Sequence, residues 1–320
     1  MRITTQGLLR SSLRHIQNHF ESLARNQEML ASGIRVKYPS DDPIATQRIL
    51  RWRKVEEGIS QYSRNISTGK IWLQTSESII ASVNDILQTA YEDALVGSNN
   101  LATQDVRDGL AVQIESLLKE MLSLTNTAVD NNYLFGGHIT DAAPFTANFL
   151  PSGLIQSIDY NGDGGQRNIE VSEGNIETIN VVGSNDADNS GTAPSDYGVR
   201  AVFRDEDIGV DVFDTLIDLR DDLIAGNTGN IITLRIPELE AAIDNLAVHQ
   251  SEIGLKLDAI TLTSDILSKE SIDISEEIDS NEKADLARVV SDINYDQTIY
   301  EAALFSTSRL VQGTLFDFIQ

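Results

Sequence analysis

Cysteine is absent from the 320 residues, which excludes disulfide bonds, thiol catalysis and cysteine-bound metals. Aromatic residues make up only 6% of the chain, a level that suits long helices with aliphatic stripes better than an aromatic-rich enzyme core. No apolar run approaches the roughly 18 residues of a membrane span. The first twenty residues contain no apolar stretch or small-residue cleavage site, so we expect no cleaved secretory signal and no membrane partner.

Positive charge is scarce, and half of the basic residues lie within the first 70 positions of the chain. The net charge is −25, yet residues 1–70 hold twelve basic and six acidic residues, a local charge of +6 that leaves −31 on the remainder. The arginines are scattered at helical spacing and the acidic body would repel phosphate, so nucleic-acid binding is not expected. HExxH, GxSxG and glycine-rich phosphate-binding motifs are also absent, and the sequence predicts no catalytic set and no cofactor.

Both ends of the chain carry apolar residues at alternating steps of three and four, the spacing of a coiled coil. Laid antiparallel, the two rows predict a terminal hairpin in which Gln27 faces Gln297, so that each amide satisfies the other. The alternative is that each helix packs separately on a globular core. We call the predicted apolar row the terminal seam: Leu9, Leu13, Ile16, Phe20, Leu23, Leu30, Leu286, Val290, Ile293, Tyr300, Leu304, Val311, Leu315 and Phe318.

Helical patterns alternate with one β-rich stretch between these ends. Asp42 is a predicted N-cap and Pro43 a predicted first helical residue. The expected helices cover residues 4–35, 43–96, 103–129, 211–225, about 236–280 and 281–317, and residues 184–196 are expected to be a flexible loop. The sequence predicts three domains: a terminal coiled-coil assembly domain (1–42 plus 280–320), a helical rod (43–132 plus 210–279) and a β-rich insert (133–209).

Two patterns resemble metal sites. Asp159, Asn161, Asp163 and Glu170 fit the spacing of a calcium loop, but alternating residues on both sides indicate strands where a calcium loop needs helices. The favoured interpretation is a hairpin that turns at residues 161–165. His15 and His19 have the spacing of two ligands on one helical face, but no third ligand is evident, so no metal is expected.

Five short blocks of the sequence carry a family resemblance: residues 1–5 (MRITT), 31–36 (ASGIRV) with 39–43 (PSDDP), 131–137 (NNYLFGG) with 143–145 (APF), 253–257 (IGLKL), and 300–304 (YEAAL) with 315–319 (LFDFI). Taken in this order, they resemble the flagellin superfamily and, within it, the hook–filament junction type of hook-associated protein. Flagellins typically carry a different block in place of residues 39–43 and a different C-terminal ending.

This resemblance implies a mainly α fold with a β-rich insert: an elongated, flagellin-like rod of long antiparallel helices with terminal coiled-coil helices. It implies a structural protein of the extracellular bacterial flagellum, exported through the flagellar type III channel without a cleaved signal peptide. The implied partners are identical subunits in a ring, the hook-side junction protein, flagellin, and an export chaperone on the C-terminal helix. Flagellin itself is the alternative within the family, and a secreted enzyme or calcium-binding adhesin is the alternative outside it.

Overall fold

A computed structural model describes residues 5–185 and 200–319 of the chain. The described part is mainly helical, as expected, and the predicted 184–196 loop lies largely outside it. The helices begin and end close to the predicted residues, although α3 stops at Thr125 because a strand begins at Ala128. They are α1 (Thr5–Ser32), α2 (Pro43–Gly97), α3 (Gln104–Thr125), α4 (Val212–Ala225), the short α5 (Thr228–Asn230), a π-helix (Ile231–Arg235), α6 (Ile236–Glu282) and α7 (Leu286–Ile319).

The β-rich stretch forms small sheets. The first three described sheets are antiparallel pairs of consecutive strands, and in the fourth β8 pairs parallel with β7 and antiparallel with β9. A mainly α fold with a β-rich insert is therefore confirmed. The strands are β1 (Ala128–Val129), β2 (Asn132–Tyr133), β3 (Phe145–Phe149), β4 (Ile155–Tyr160), β5 (Asn168–Ser172), β6 (Asn175–Thr178), β7 (Val182–Ser184), β8 (Ala201–Asp205) and β9 (Val210–Asp211).

The predicted hairpin across residues 159–170 is wrong. β4 pairs with β3, and β5 pairs with β6. The connection between β4 and β5 is instead held by Asp163, whose Oδ1 accepts hydrogen bonds from the backbone NH groups of His138, at 2.6 Å, and Gly165, at 3.0 Å. Gly137, at φ +69°, lies so close to Asp163 that a Cβ atom would clash with its backbone. Long-range contacts have therefore replaced the local turn.

The chain divides into two compact units, residues 1–58 with 269–320 (the terminal unit) and residues 59–268 (the central unit). In the central unit, Phe135, Phe145, Phe203 and Phe213 are fully buried, and their ring centroids approach to 4.9 Å for two pairs. Such edge-on and tilted contacts add to the stabilisation from burial. The three-domain division of the sequence remains a prediction.

A buried ion pair joins three elements of the central unit. Nη1 of Arg220 on α4 donates to Oε2 of Glu115 on α3, at 2.6 Å, and to the carbonyl oxygen of Ile155 on β4, at 2.7 Å. Oε1 of Glu115 accepts from the NH of Ile155. Both charged groups are buried, and each also contacts a second charged residue, Lys119 for Glu115 and Asp221 for Arg220. The pair thus fixes β4 against the two helices.

Candidate assembly surface

In the terminal unit, α1 and α7 pack against each other in opposite directions. Contacts join Gly33 to Ala284, Asn26 to Asp296 and Phe20 to Tyr300, so residue numbers rise along one helix as they fall along the other. The Phe20 and Tyr300 ring centroids are 6.0 Å apart. The described parts of the two helices therefore form a hairpin.

Backbone hydrogen bonds close the hairpin at its base. The NH of Arg35 donates to the carbonyl of Glu282 at 2.7 Å, and the NH of Ala284 donates to the carbonyl of Gly33 at 2.9 Å. Gly33 can end α1 because it adopts a left-handed conformation, with φ +71°. Asp285 caps α7, since its Oδ1 accepts from the NH groups of Ala287 and Arg288. The two helices therefore start from a fixed base.

A buried polar cluster lies between the two helices. Oδ2 of Asp296 accepts from the hydroxyl of Ser22 at 2.7 Å and from Nδ2 of Asn26 at 3.1 Å, while His19 Nδ1 lies 3.1 Å from Oδ1. The pKa of the Asp296 carboxyl is lowered, chiefly because the Ser22 hydroxyl hydrogen-bonds to it and also because His19 and Asn26 contact it. Asp296 and Asn26 are only 7% and 8% exposed.

This cluster replaces the predicted contact between Gln27 and Gln297, and both glutamines are exposed. The buried residues of α7 are Val289, Ile293 and Asp296. Ile293 belongs to the predicted row, whereas Val289 and Asp296 each lie one position before a predicted residue. The 3-4 spacing of His19, Ser22 and Asn26 opposite an acidic residue could have indicated it. The heptad pattern did not predict this polar cluster because the pattern selects apolar positions.

Many residues of the terminal seam remain accessible in the chain. Leu13, Phe20, Leu30, Leu286, Val290 and Leu304 are 40% to 57% exposed. Ile16, Leu23 and Tyr300 are half-buried, Ile293 is buried, and the side chains of Leu9, Val311, Leu315 and Phe318 lie outside the described part of the structure. Phe305, which is not part of the terminal seam, is 60% exposed. Exposed apolar rows of this kind mark surfaces that bind other proteins.

The predicted cap lies at the start of α2. Oδ1 of Asp42 accepts from the NH of Ala45 at 2.9 Å, and Pro43 is the first residue of the helix. The pKa of Asp42 is lowered because the Ala45 NH and then the Arg35 guanidinium hydrogen-bond to its carboxylate. Neighbouring Asp41 accepts from the NH groups of Lys37 and Tyr38. The two aspartates thus fold the connection between α1 and α2.

The residues that resembled metal sites are engaged elsewhere. Asp159 accepts from the Asn148 amide, Asn161 donates to the Thr146 hydroxyl, and Glu170 accepts from the Gly174 NH. His15 is exposed, and His19 faces Asp296. Within residues 5–185 and 200–319, no three His, Asp or Glu side chains come together in an arrangement that could hold a metal ion. The helices of these same ranges include none that is long and apolar enough to cross a bilayer.

Sequence comparison matches residues 3–140 to the bacterial flagellin N-terminal helical region. Flagellar hook-associated protein 3 of Escherichia coli is 34% identical over 149 residues, which are 46% of this chain and 46% of that protein. A flagellin of Listeria monocytogenes is 28% identical over 132 residues, 41% of this chain and 46% of the flagellin. The matches thus span about half the length of these relatives.

Solved structures share the fold. A protein of Vibrio parahaemolyticus described as flagellar hook-associated superposes with a TM-score of 0.62 at 21% identity, over 76% of this chain and 100% of the other. The flagellar junction protein FlgL of Legionella pneumophila gives a TM-score of 0.55 at 16% identity, over 74% of this chain and 100% of the other.

Residues 3–140 are thus similar to the bacterial flagellin N-terminal helical region, and the chain shares its fold with solved hook-associated proteins. The more particular resemblance, to the hook–filament junction type of hook-associated protein within the flagellin superfamily, is confirmed by the same comparisons.

Proposed function

We propose that this chain is a structural protein of the bacterial flagellum that joins the hook to the flagellin filament. The observation that carries the proposal is the α1–α7 hairpin, which holds its register through buried polar contacts and leaves apolar side chains on its outer surface. The match to a hook-associated protein favours the junction over other positions in the flagellum. No catalytic activity is part of the proposal.

The exposed side chains supply a driving force for assembly. Leu13, Phe20, Leu304 and Phe305 keep 44% to 60% of their surface in water. Fully burying such a side chain stabilises by about 1.5–3 kcal/mol, so covering the remaining half contributes about 1 kcal/mol at each position. Four such positions on each copy favour association with neighbouring helices. Residues 1–42 and 280–320 are accordingly the proposed assembly domain.

The proposed partners are the proteins that would cover these exposed apolar side chains. Identical copies would form a ring, with the hook-side junction protein beneath it and flagellin above it. An export chaperone on the C-terminal helix would cover Leu304 and Phe305 before assembly. The proposed location is extracellular, on the flagellum, after export through the flagellar type III channel without cleavage.

Deleting the gene tests the position at the junction. If the chain joins hook to filament, the deletion strain makes hooks, and flagellin escapes into the medium because it cannot anchor. The reintroduced gene restores filaments. Normal filaments in the deletion strain would refute the proposal.

The second candidate is that the chain is flagellin itself, which the matched flagellin region and the Listeria flagellin favour. The same deletion strain separates the two. For a filament subunit, hooks form but the medium contains no flagellin, and sheared filaments of the parent strain consist mainly of this chain. For a junction protein, the chain is a minor component of the sheared filaments.

A further inference from the structure

The central unit contains a second apolar row that its own packing does not use. Ile253, Ile260 and Leu267 of α6 are at most 5% exposed and face the core of that unit. Leu255 and Leu262, which follow Ile253 and Ile260 by two positions, are 71% and 63% exposed. A shift of two residues turns about 200° around a helix, so the second row lies opposite the first.

The exposed row has the spacing of a helix-packing surface. Leu255, Ala259, Leu262 and Ile266 follow each other at steps of four, three and four, and Ile266 is 57% exposed. Asp258 and Asp265 flank the row, both are exposed, and neither forms an ion pair within the described residues. We call these six residues the α6 acidic row. An apolar row with negative flanks fits a helix that brings positive charge.

A complementary row occurs at the start of α2. Residues 43–55 contain four basic residues and no acidic residue, in a chain of net charge −25. Ile44, Arg48, Arg51 and Val55 follow each other at steps of four, three and four, as the α6 acidic row does. Ile44 is 66% exposed, and the described residues provide no ion-pair partner for Arg48 or Arg51. We call these four residues the α2 basic row.

We propose that the α6 acidic row of one copy binds the α2 basic row of a second copy. The aliphatic stems of Arg48 and Arg51 cover the apolar row, where the small Ala259 leaves room, and their guanidinium groups reach Asp258 and Asp265. Pairing two α6 acidic rows instead would set aspartates against aspartates, which charge repulsion disfavours. The contact is therefore heterologous, the type that builds rings or helical filaments. It rests on the proposed function and adds to it the surface that joins identical subunits.

Cysteine cross-linking of the full-length chain tests this contact, because the sequence contains no cysteine of its own. Gln47→Cys places a thiol beside the α2 basic row, and Ala259→Cys places one within the α6 acidic row. The two single variants are purified, mixed, and treated with a short bis-maleimide. We expect a covalent dimer in the mixture and much less in either variant alone. A matched control replaces Ala259→Cys by Leu101→Cys, since Leu101 is 89% exposed and lies outside both rows.

Charge reversal gives a second measurement. Arg48→Glu with Arg51→Glu in the Gln47→Cys chain lowers the dimer yield about tenfold, as the loss of two ion pairs predicts. Adding Asp258→Lys and Asp265→Lys to the Ala259→Cys chain restores the yield. Circular dichroism checks that these exposed substitutions leave the helices folded. A dimer yield equal to that of the Leu101→Cys control, or an equal yield from Ala259→Cys alone, overturns the proposal. The deletion phenotype tests the junction role independently, so failure of one can be told from failure of the other.

Discussion

At the scale of single residues, Asp296 is a buried charged group between the two helices of the terminal hairpin. It is an acidic residue at a position where a coiled coil normally has an apolar one, yet three side chains of α1 surround its carboxylate. A buried polar contact of this kind aligns two helices, because a shift in register leaves the polar groups unpaired. Asp296 therefore determines which side chains of α1 and α7 remain exposed to solvent.

Replacing Asp296 by Ala should loosen the hairpin. The change leaves the buried Asn26 amide and the Ser22 hydroxyl without an acceptor, at a cost of about 1–3 kcal/mol. Amide hydrogen exchange of α1 and α7 measures the effect, which should be confined to the terminal unit. Asp292→Ala is the matched control, since Asp292 is exposed on the same helix. Equal exchange rates in the two variants would show that the cluster contributes nothing.

The hairpin should also weaken in acid. Hydrogen bonds from α1 lower the pKa of Asp296 in the folded chain. Its contribution is therefore complete above about pH 4, the ordinary pKa of an aspartate, and is lost as the pH falls through the lower folded-state pKa. Exchange rates of α1 and α7 measured from pH 6 downwards check this. The Asp296→Asn variant should lose that part of the pH dependence, and an unchanged profile would contradict the prediction.

At the scale of elements, local signals predicted the helices well and the strand pairs poorly. The start of α2 was predictable because the capping residue Asp42 and the first helical residue Pro43 are adjacent in the sequence. The connection between β4 and β5 was not, because Asp163 in that connection binds the backbone of His138, 25 residues earlier. The terminal seam was predicted only in part. Its spacing predicted a hairpin, but two of the three buried residues of α7 are shifted by one position, so the Asp296 cluster was not predicted.

The cap of α2 can be tested by Asp42→Ala. The variant loses the acceptor of the Ala45 NH and should therefore weaken the first turn of α2. Exchange of the first-turn amides of α2 should accelerate, and Gln47→Ala, an exposed change one turn later, should leave them unaffected.

The outer surface of the hairpin can be tested by Phe20→Asp and Leu304→Asp. A charge at either position opposes burial against neighbouring subunits, so each variant should be missing from sheared flagella and abolish swimming. The central unit should keep its helical circular dichroism signal, because neither residue belongs to it. Asn18→Asp adds the same charge at an exposed polar position of α1 and should still assemble.

At the scale of the whole molecule, the two units differ in how much apolar surface they bury. The central unit contains the aromatic cluster, the Arg220–Glu115 pair and the buried row of α6. Among the described side chains of α1 and α7, burial is limited to Asn26, Val289, Ile293 and Asp296, of which two are polar. Local stability follows the density of buried apolar contacts. The terminal hairpin is therefore the part of the chain that gains most from neighbours.

This difference predicts how the chain responds to assembly. In dilute monomer, amide protons of α1 and α7 should exchange far faster than those of the buried faces of α2 and α6 in the central unit. In sheared flagella the two terminal helices should become protected, while protection of the central unit changes little outside the α6 acidic row. The comparison needs the same chain in both states, with exchange read by mass spectrometry. Protection of α1 and α7 in the monomer equal to that of the central unit would mean that the hairpin is already complete without neighbours, and the proposed driving force for assembly would be lost.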